Sequence, residues 1–286
     1  MTSGVFGSVI EGTIFTISIG AGALGAILGL GGGVIIVPAL TLIFGIPIRY
    51  AVGASIVSVV ATSSGAAATY VKDHITNIRV AMLLEVATTV GALGGAVISG
   101  LIPARYLFIV FALILAYSAI VMMKKRKSDG GALETGDRWA EALRLNSSYP
   151  DEVLVQEIPY AVTGVPLGFS LMLGAGLISG LLGIGSGALK VPAMDSAMRL
   201  PIKVSSATSN FMIGVTAAAS AGAYYMRGDI LPGLAAPVAL GVLLGAWFGT
   251  RIMVKLPAER IRKLFVVVLI IIAAEMGMKA AGVSVR

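Results

Sequence analysis

Eight stretches of this chain are each long and apolar enough to cross a lipid bilayer: 8–30, 51–70, 79–101, 105–123, 160–182, 204–226, 231–253 and 258–277. A membrane helix needs about 20 mainly apolar residues, because once water is gone each backbone N–H and C=O must find its partner inside the segment. That many stretches predict an all-α, polytopic membrane protein with about eight transmembrane helices. Only 12% of the residues are charged against 57% hydrophobic, whereas about 25% charged is usual in a soluble domain. Two shorter apolar pieces, 34–46 and 188–200, each follow a glycine cluster and carry a proline, Pro38 or Pro192. Each is too short for an easy crossing, so re-entrant or broken helices are expected there.

The chain has no cysteine and one histidine, His74, so thiolate and His-built metal sites are excluded and no cofactor is expected. A net charge of +7 would suggest nucleic acid in a soluble protein. Here Lys and Arg sit mostly in short loops, and the rule that basic loops stay cytoplasmic is the simpler account. No Lys or Arg precedes Arg49, so no cleavable secretory signal is expected at the N-terminus. The long polar segment 124–158 opens with Lys124-Lys125-Arg126-Lys127 and contains Gly130-Gly131. It reads as a cytoplasmic, solvated linker in which 138–145 is able to form a short amphipathic helix. It separates residues 1–123 from residues 159–286.

Those two parts are copies. Shifted by 154 residues, they align without a gap over roughly a hundred positions. Gly29, Gly31 and Gly33 meet Gly183, Gly185 and Gly187, while Val37-Pro38-Ala39 meets Val191-Pro192-Ala193. Pro47-Ile48 meets Pro201-Ile202, Ser55 meets Ser209, and Tyr70 meets Tyr224. Chance apolar similarity would not hold glycines and prolines in register. Paired glycine- and proline-interrupted segments are the best sequence pointer to the substrate site of a secondary transporter. Gly91, Gly95, Gly241, Gly245 and Gly249 read instead as small-residue faces that let helices touch. Four crossings per half would set the halves parallel and put Arg251, Lys255, Arg260, Arg262 and Lys263 outside, against the charge rule. Counting the short pieces makes the crossings odd and brings that cluster inside, which favours an inverted repeat.

The chain resembles the TauE/SafE family of sulfite and organosulfonate exporters over nearly its whole length. The resemblance rests on Gly29-Leu30-Gly31-Gly32-Gly33-Val34-Ile35-Ile36-Val37-Pro38, on Ala51-Val52-Gly53-Ala54-Ser55, and on Gly183-Ile184-Gly185-Ser186-Gly187 with Val191-Pro192. Ser206-Ala207-Thr208-Ser209-Asn210 is similar to the second-half counterpart. The resemblance implies a multi-pass transporter of small sulfur-containing anions such as sulfite, thiosulfate or organosulfonates. The cell's inner, cytoplasmic membrane is the expected location, the lipid bilayer its partner, and a homodimer one open assembly.

A buried anion needs positive potential without an excess of buried charge. A helix N-terminus supplies about +0.5 charge and free N–H groups. Gly31, Gly32 and Gly33, with Gly185, Ser186 and Gly187, would expose such groups from both halves. Ser55, Thr208, Ser209 and Asn210 are further binding candidates, and Ser58, Thr62 and Ser63 share a helix face with Ser55. Lys190 stands where the first half has Ile36, and an ionisable residue within a membrane segment is a functional candidate by default. Asp195, placed to neutralise Lys190 or carry a proton, and Glu85 are the coupling candidates. Glu275 reads as interfacial. Arg49 and Lys203 flank Pro47 and Pro201 as either a basic vestibule or anchors.

Gly20-Ala21-Gly22-Ala23-Leu24-Gly25 matches GxGxxG by letter, but no acid follows at the required distance, so the dinucleotide reading fails. With no nucleotide site, coupling to an ion or proton gradient is expected. An anion channel using the same central site is the alternative. An intramembrane enzyme lacks a visible nucleophile and base, and a scaffold would leave the paired breaks unexplained.

Overall fold

The computed structural model describes residues 2–123, 137–183 and 185–282. Lys124-Lys125-Arg126-Lys127, Gly130-Gly131 and Ile184 lie outside the described residues. In chain order the elements are α1 (Thr2–Leu28), α2 (Gly33–Pro38), α3 (Ile48–Lys72), α4 (Ile78–Ser99), α5 (Ala104–Met123), α6 (Arg138–Ala142), β1 (Ser147–Asp151), β2 (Gln156–Tyr160), α7 (Val165–Leu182), α8 (Gly187–Pro192), α9 (Ile202–Met226), α10 (Pro232–Val254) and α11 (Ala258–Ala280). All eight apolar stretches fall on helices. Those in α1, α3, α4, α5, α7 and α10 are long and apolar enough to cross a membrane, while α9 and α11 are 25 and 23 residues long. On α4, Met82, Val86, Val90, Leu93 and Val97 are exposed, while Gly91, Ala92 and Gly95 turn inward. An outward row of large apolar side chains suits hydrocarbon rather than water. The protein is an all-α, multi-pass membrane protein.

Pro38 and Pro192 each stop a short α-helix. Proline has no N–H for the ladder, and the chain continues as a π-helical turn, Ala39–Ile43 and Ala193–Ala197. The segments 33–43 and 187–197 are therefore interrupted helices, as the prolines predicted. Elements α2, α3, α4 and α5 start 154 residues before α8, α9, α10 and α11.

Helix directions follow from which residues meet. Along α4, the Asn77 N–H donates to Thr208, Glu85 accepts from Thr216, and the Ala96 carbonyl accepts from Arg227. That constant offset makes α4 parallel to α9. A tight turn joins α3 to α4, so α3 runs antiparallel to α9. They cross near their middles, where Ser63 Oγ donates to the Asn210 carbonyl at 2.5 Å. Helix α10 lies parallel to α1: a β-carbon on Gly245 would strike the Ile19 carbonyl, and one on Gly249 the Ala23 carbonyl. Gly91 and Gly95 seat against Leu173 and Leu177 of α7 in the same way. Such small-residue contacts replace hydrophobic burial as the packing force between membrane helices.

Residues 137–160 are more ordered than a solvated linker. Helix α6 and the antiparallel β1–β2 hairpin dock on the end of the molecule where α4 and α9 begin. Ala140, Leu145, Tyr149 and Tyr160 are buried there with Val80, Leu84 and Val204. Asn77 Nδ2 donates to the Leu145 carbonyl at 2.8 Å and to Tyr160 at 3.0 Å. The short helix expected from 138 is present as α6; the hairpin was not legible because its apolar residues are few and become a core only against the helix ends.

Candidate functional site

The glycine runs leave α1 and α7 as tight loops in the left-handed region, with φ of +72° at Gly29 and Gly31, +63° at Gly183 and +76° at Gly185. Gly32, at φ +73°, precedes α2, and Ser186 adopts φ +55° before α8. A serine in that conformation is strained by about 1–2 kcal/mol, and its hydroxyl bonds back to the Gly185 carbonyl at 2.8 Å. The two loops touch: a β-carbon on Gly187 would collide with the Gly29 carbonyl. Val59 of α3 and Ile213 of α9 close over Gly31 and Gly185.

A crossed bracket holds the loops together. Ser55 Oγ of the first half donates to the Gly183 carbonyl at 2.9 Å, and Ser209 Oγ of the second donates to the Gly29 carbonyl at 2.7 Å. Tyr70 and Tyr224 donate to the Ala26 and Gly180 carbonyls at 3.0 and 2.6 Å. Thr208 Oγ1 accepts from the Asn77 N–H, and Asn210 Nδ2 donates to the Ala26 carbonyl at 2.7 Å. Ser55 and Ser209 thus meet the loops, Thr208 meets the start of α4, and all of these groups spend their hydrogen bonds on backbone. The first N–H groups of α2 and α8, on Gly33, Val34, Gly187 and Ala188, have no helical carbonyl behind them.

Beside the second loop lies a buried charge cluster. Lys190 is fully buried and donates from Nζ to Thr216 Oγ1 at 2.7 Å and to Glu85 Oε2 at 3.4 Å. Thr216 Oγ1 donates to Glu85 Oε1 at 2.6 Å, and Thr88 and Thr89 donate to the same carboxylate at 3.0 and 3.1 Å. The partner of Lys190 is thus Glu85. Asp195 instead holds Arg262, with both oxygens at 2.9 Å from the guanidinium nitrogens. Sequence reading proposed Lys190 and Glu85 separately and missed Thr216, Thr88 and Thr89. The i, i+3 and i+4 spacing of Glu85, Thr88 and Thr89, and the register of Thr216 with Thr62, were the available signals.

Arg49 and Lys203 mark opposite ends. Arg49 pairs with Asp229 at 2.9 Å, and Lys203 with Asp151 of β1 at 3.1 Å. Burial pushes the Asp151 carboxyl upward, but the Lys203 hydrogen bond and the Val153 and Leu154 N–H groups outweigh it and hold the carboxyl below its ordinary value. Glu275 lines an apolar groove of about 290 Å³ with Ile17, Ile35 and Val268. Among the described residues no group of three or more His, Cys, Asp or Glu side chains is placed to hold a metal ion.

Probable membrane transporter protein YunE of Bacillus subtilis (strain 168) is 25% identical to this chain over 272 residues, covering 90% of this chain and 93% of the relative. Probable membrane transporter protein YdhB of the same organism is 26% identical over 231 residues, covering 80% and 85%. No solved structure matches. The family model described as sulfite exporter TauE/SafE matches residues 14–276, and the chain, a membrane transporter, belongs to that family.

Proposed function

We propose that the protein is a secondary transporter of a small sulfur-containing anion held between the two glycine loops. The observation that carries this reading is the meeting of both loops, with a fully buried lysine, Lys190, three residues along α8 from Gly187. The N-terminal amides of α2 and α8, around Gly31, Gly32, Gly33, Gly185, Ser186 and Gly187, supply fixed donors, and Lys190 supplies the charge. Ser55, Ser209 and Asn210 set the loop positions. Sulfite, thiosulfate and a sulfonate share an anionic oxygen face that such donors fit.

In this reading the halves form an inverted repeat, supported by the antiparallel course of the equivalent helices α3 and α9. The end carrying Arg79, Arg144, Lys203, Lys255 and Arg262 faces the cytoplasm of the cell's inner membrane. Among the described residues, Arg49, Arg105, Arg227 and Lys279 occupy the other end. A gradient drives the cycle, since no nucleotide-binding pattern accompanies the glycines.

Counterflow of labelled sulfite or thiosulfate in proteoliposomes tests the reading. Wild type should show saturable exchange. Gly32→Val, which forces a β-branched residue into a left-handed φ, should lose it while the protein remains in the membrane. Large single-channel currents would identify the channel alternative.

A further inference from the structure

An ion pair joins Lys190 of the second half to Glu85 of the first, and the symmetry-related pair of positions carries none. The equivalents of Lys190 and Glu85 are the neutral Ile36 and Ala239. A charged residue within a membrane segment costs at least about 2.5–3.5 kcal/mol, and a helix-packing role is filled at Ile36 and Ala239 without one. The pair is also loosely closed. Its Nζ–Oε2 distance is 3.4 Å, whereas charge-assisted N–H···O bonds run about 2.7–2.9 Å. The ammonium has three donors, and Thr216 and Glu85 are the two acceptors it meets. Thr216 links the two charges by accepting from Lys190 and donating to Glu85. The Glu85 side chain keeps 12% exposure, while that of Lys190 has none, so the carboxylate is the less enclosed of the two charges.

We propose that the transported anion and Glu85 compete for Lys190, so that each anion bound brings one proton onto Glu85. This rests on the reading of the glycine loops as the anion site. In the empty state the ammonium and carboxylate sum to zero. When the anion takes the ammonium's donors, Glu85 loses its counter-charge and accepts a proton from hydronium at Oε1 or Oε2. The hydronium O–H bond breaks as the carboxyl O–H bond forms, and with a monoanion such as methanesulfonate the pocket stays neutral with anion, ammonium and carboxylic acid present. Release reverses both steps. The proton and the anion cross in the same direction.

Among the described residues no other ionisable group is placed to compete for the pair. Helix α7 carries none. Helix α9 brings Lys203, held by Asp151, Tyr224, bonded to the Gly180 carbonyl, and the exposed Tyr225. Helix α5 brings Arg105, Tyr106 and Tyr117. On α4, Arg79 donates to the Arg144 carbonyl, and beyond α8 Asp195 is tied to Arg262.

The test uses the full-length protein in liposomes with sulfite, thiosulfate and methanesulfonate. The last is the cleanest probe because its anion takes up no proton near neutral pH. For any probe showing counterflow, with the membrane potential clamped at zero, an acid exterior about one pH unit below the interior should sustain about tenfold accumulation of the transported anion in wild type. Glu85→Gln should lose the accumulation that the pH gradient sustains in wild type. An unaltered response of Glu85→Gln to the pH gradient overturns the coupling and leaves the anion site standing. If Glu85→Gln misfolds, wild type alone decides: methanesulfonate or thiosulfate entry must alkalinise the exterior, and entry without proton movement overturns the proposal. Absence of counterflow with all three anions sinks the site reading and this inference with it.

Discussion

The two interrupted helices, 33–43 and 187–197, have the same backbone and opposite chemistry. Both leave a left-handed loop, run one short helix to a proline and finish in a π-helical turn. In the first, Gly32, Ile36 and Thr41 are all neutral. In the second, their counterparts are Ser186, Lys190 and Asp195. The partners have changed as well. Glu85 of the first half faces Lys190, and its equivalent in the second half is Ala239; Arg262 faces Asp195, and its equivalent in the first half is Phe108. The shape is thus present twice, as a neutral wall in the first segment and a charged wall in the second.

Each difference is removed by giving the second segment the residue of the first. The largest effect is expected from Lys190→Ile combined with Glu85→Ala, which copies Ile36 and Ala239 and leaves no uncompensated charge. Counterflow should fall about a hundredfold or more, in line with losing a buried charged contact of roughly 3 kcal/mol. The reverse control, Ile36→Met, conserves volume and should cost less than about 1.5 kcal/mol of stability. Equal counterflow in both variants would mean that the charged wall is ornamental.

Asp195→Thr copies Thr41 and strands Arg262. Asp195 is 1% exposed and Arg262 14%, so removing one partner should cost about 3 kcal/mol in thermal unfolding in detergent. Thr41 bonds the Val37 carbonyl of its own helix at 2.8 Å, and Thr41→Val should cost only about 1 kcal/mol. A loss at Asp195 no greater than that at Thr41 would remove the distinction.

Ser186→Gly copies Gly32 and relieves the left-handed serine. Stability should rise by about 1 kcal/mol in the same unfolding measurement. A fall would show that the hydroxyl bond to Gly185 outweighs the strain.

The smallest effect concerns the docked hairpin, which only the Lys203 end of the molecule possesses. Asp151 is held below its ordinary carboxylate value, so the folded state favours its charged form. That contribution is complete above about pH 3.9, the unfolded value, and is lost as pH falls through the lower folded one. With Trp247 replaced by Phe, the fluorescence of Trp139 in α6 should report an acid transition that Asp151→Asn removes. An identical transition in that variant would contradict the assignment.

The membrane class, the paired breaks and the family resemblance were legible in the sequence because they rest on apolar run length and on glycine and proline register. The pairing of Lys190 with Glu85 was not, since 105 residues separate them and they meet because α4 and α8 both pack against α9. The same holds for Asp195 and Arg262. Ser55, Ser209 and Asn210 were legible as polar positions, but not as groups committed to the Gly183, Gly29 and Ala26 carbonyls. The hairpin was missed because residues such as Tyr149 and Leu145 become core only after the helix ends assemble.

The central claim is that both glycine loops and Lys190 share one anion. Selenite carries the same oxygen face as sulfite on a strongly scattering atom, and a structure of the protein saturated with it is the most direct test. The account expects the selenium between the two loops, its oxygens within hydrogen-bonding distance of Lys190 Nζ and of main-chain N–H groups from both 32–34 and 186–188. Selenium bound elsewhere, or touching one loop alone with Lys190 still closed on Glu85, would contradict it.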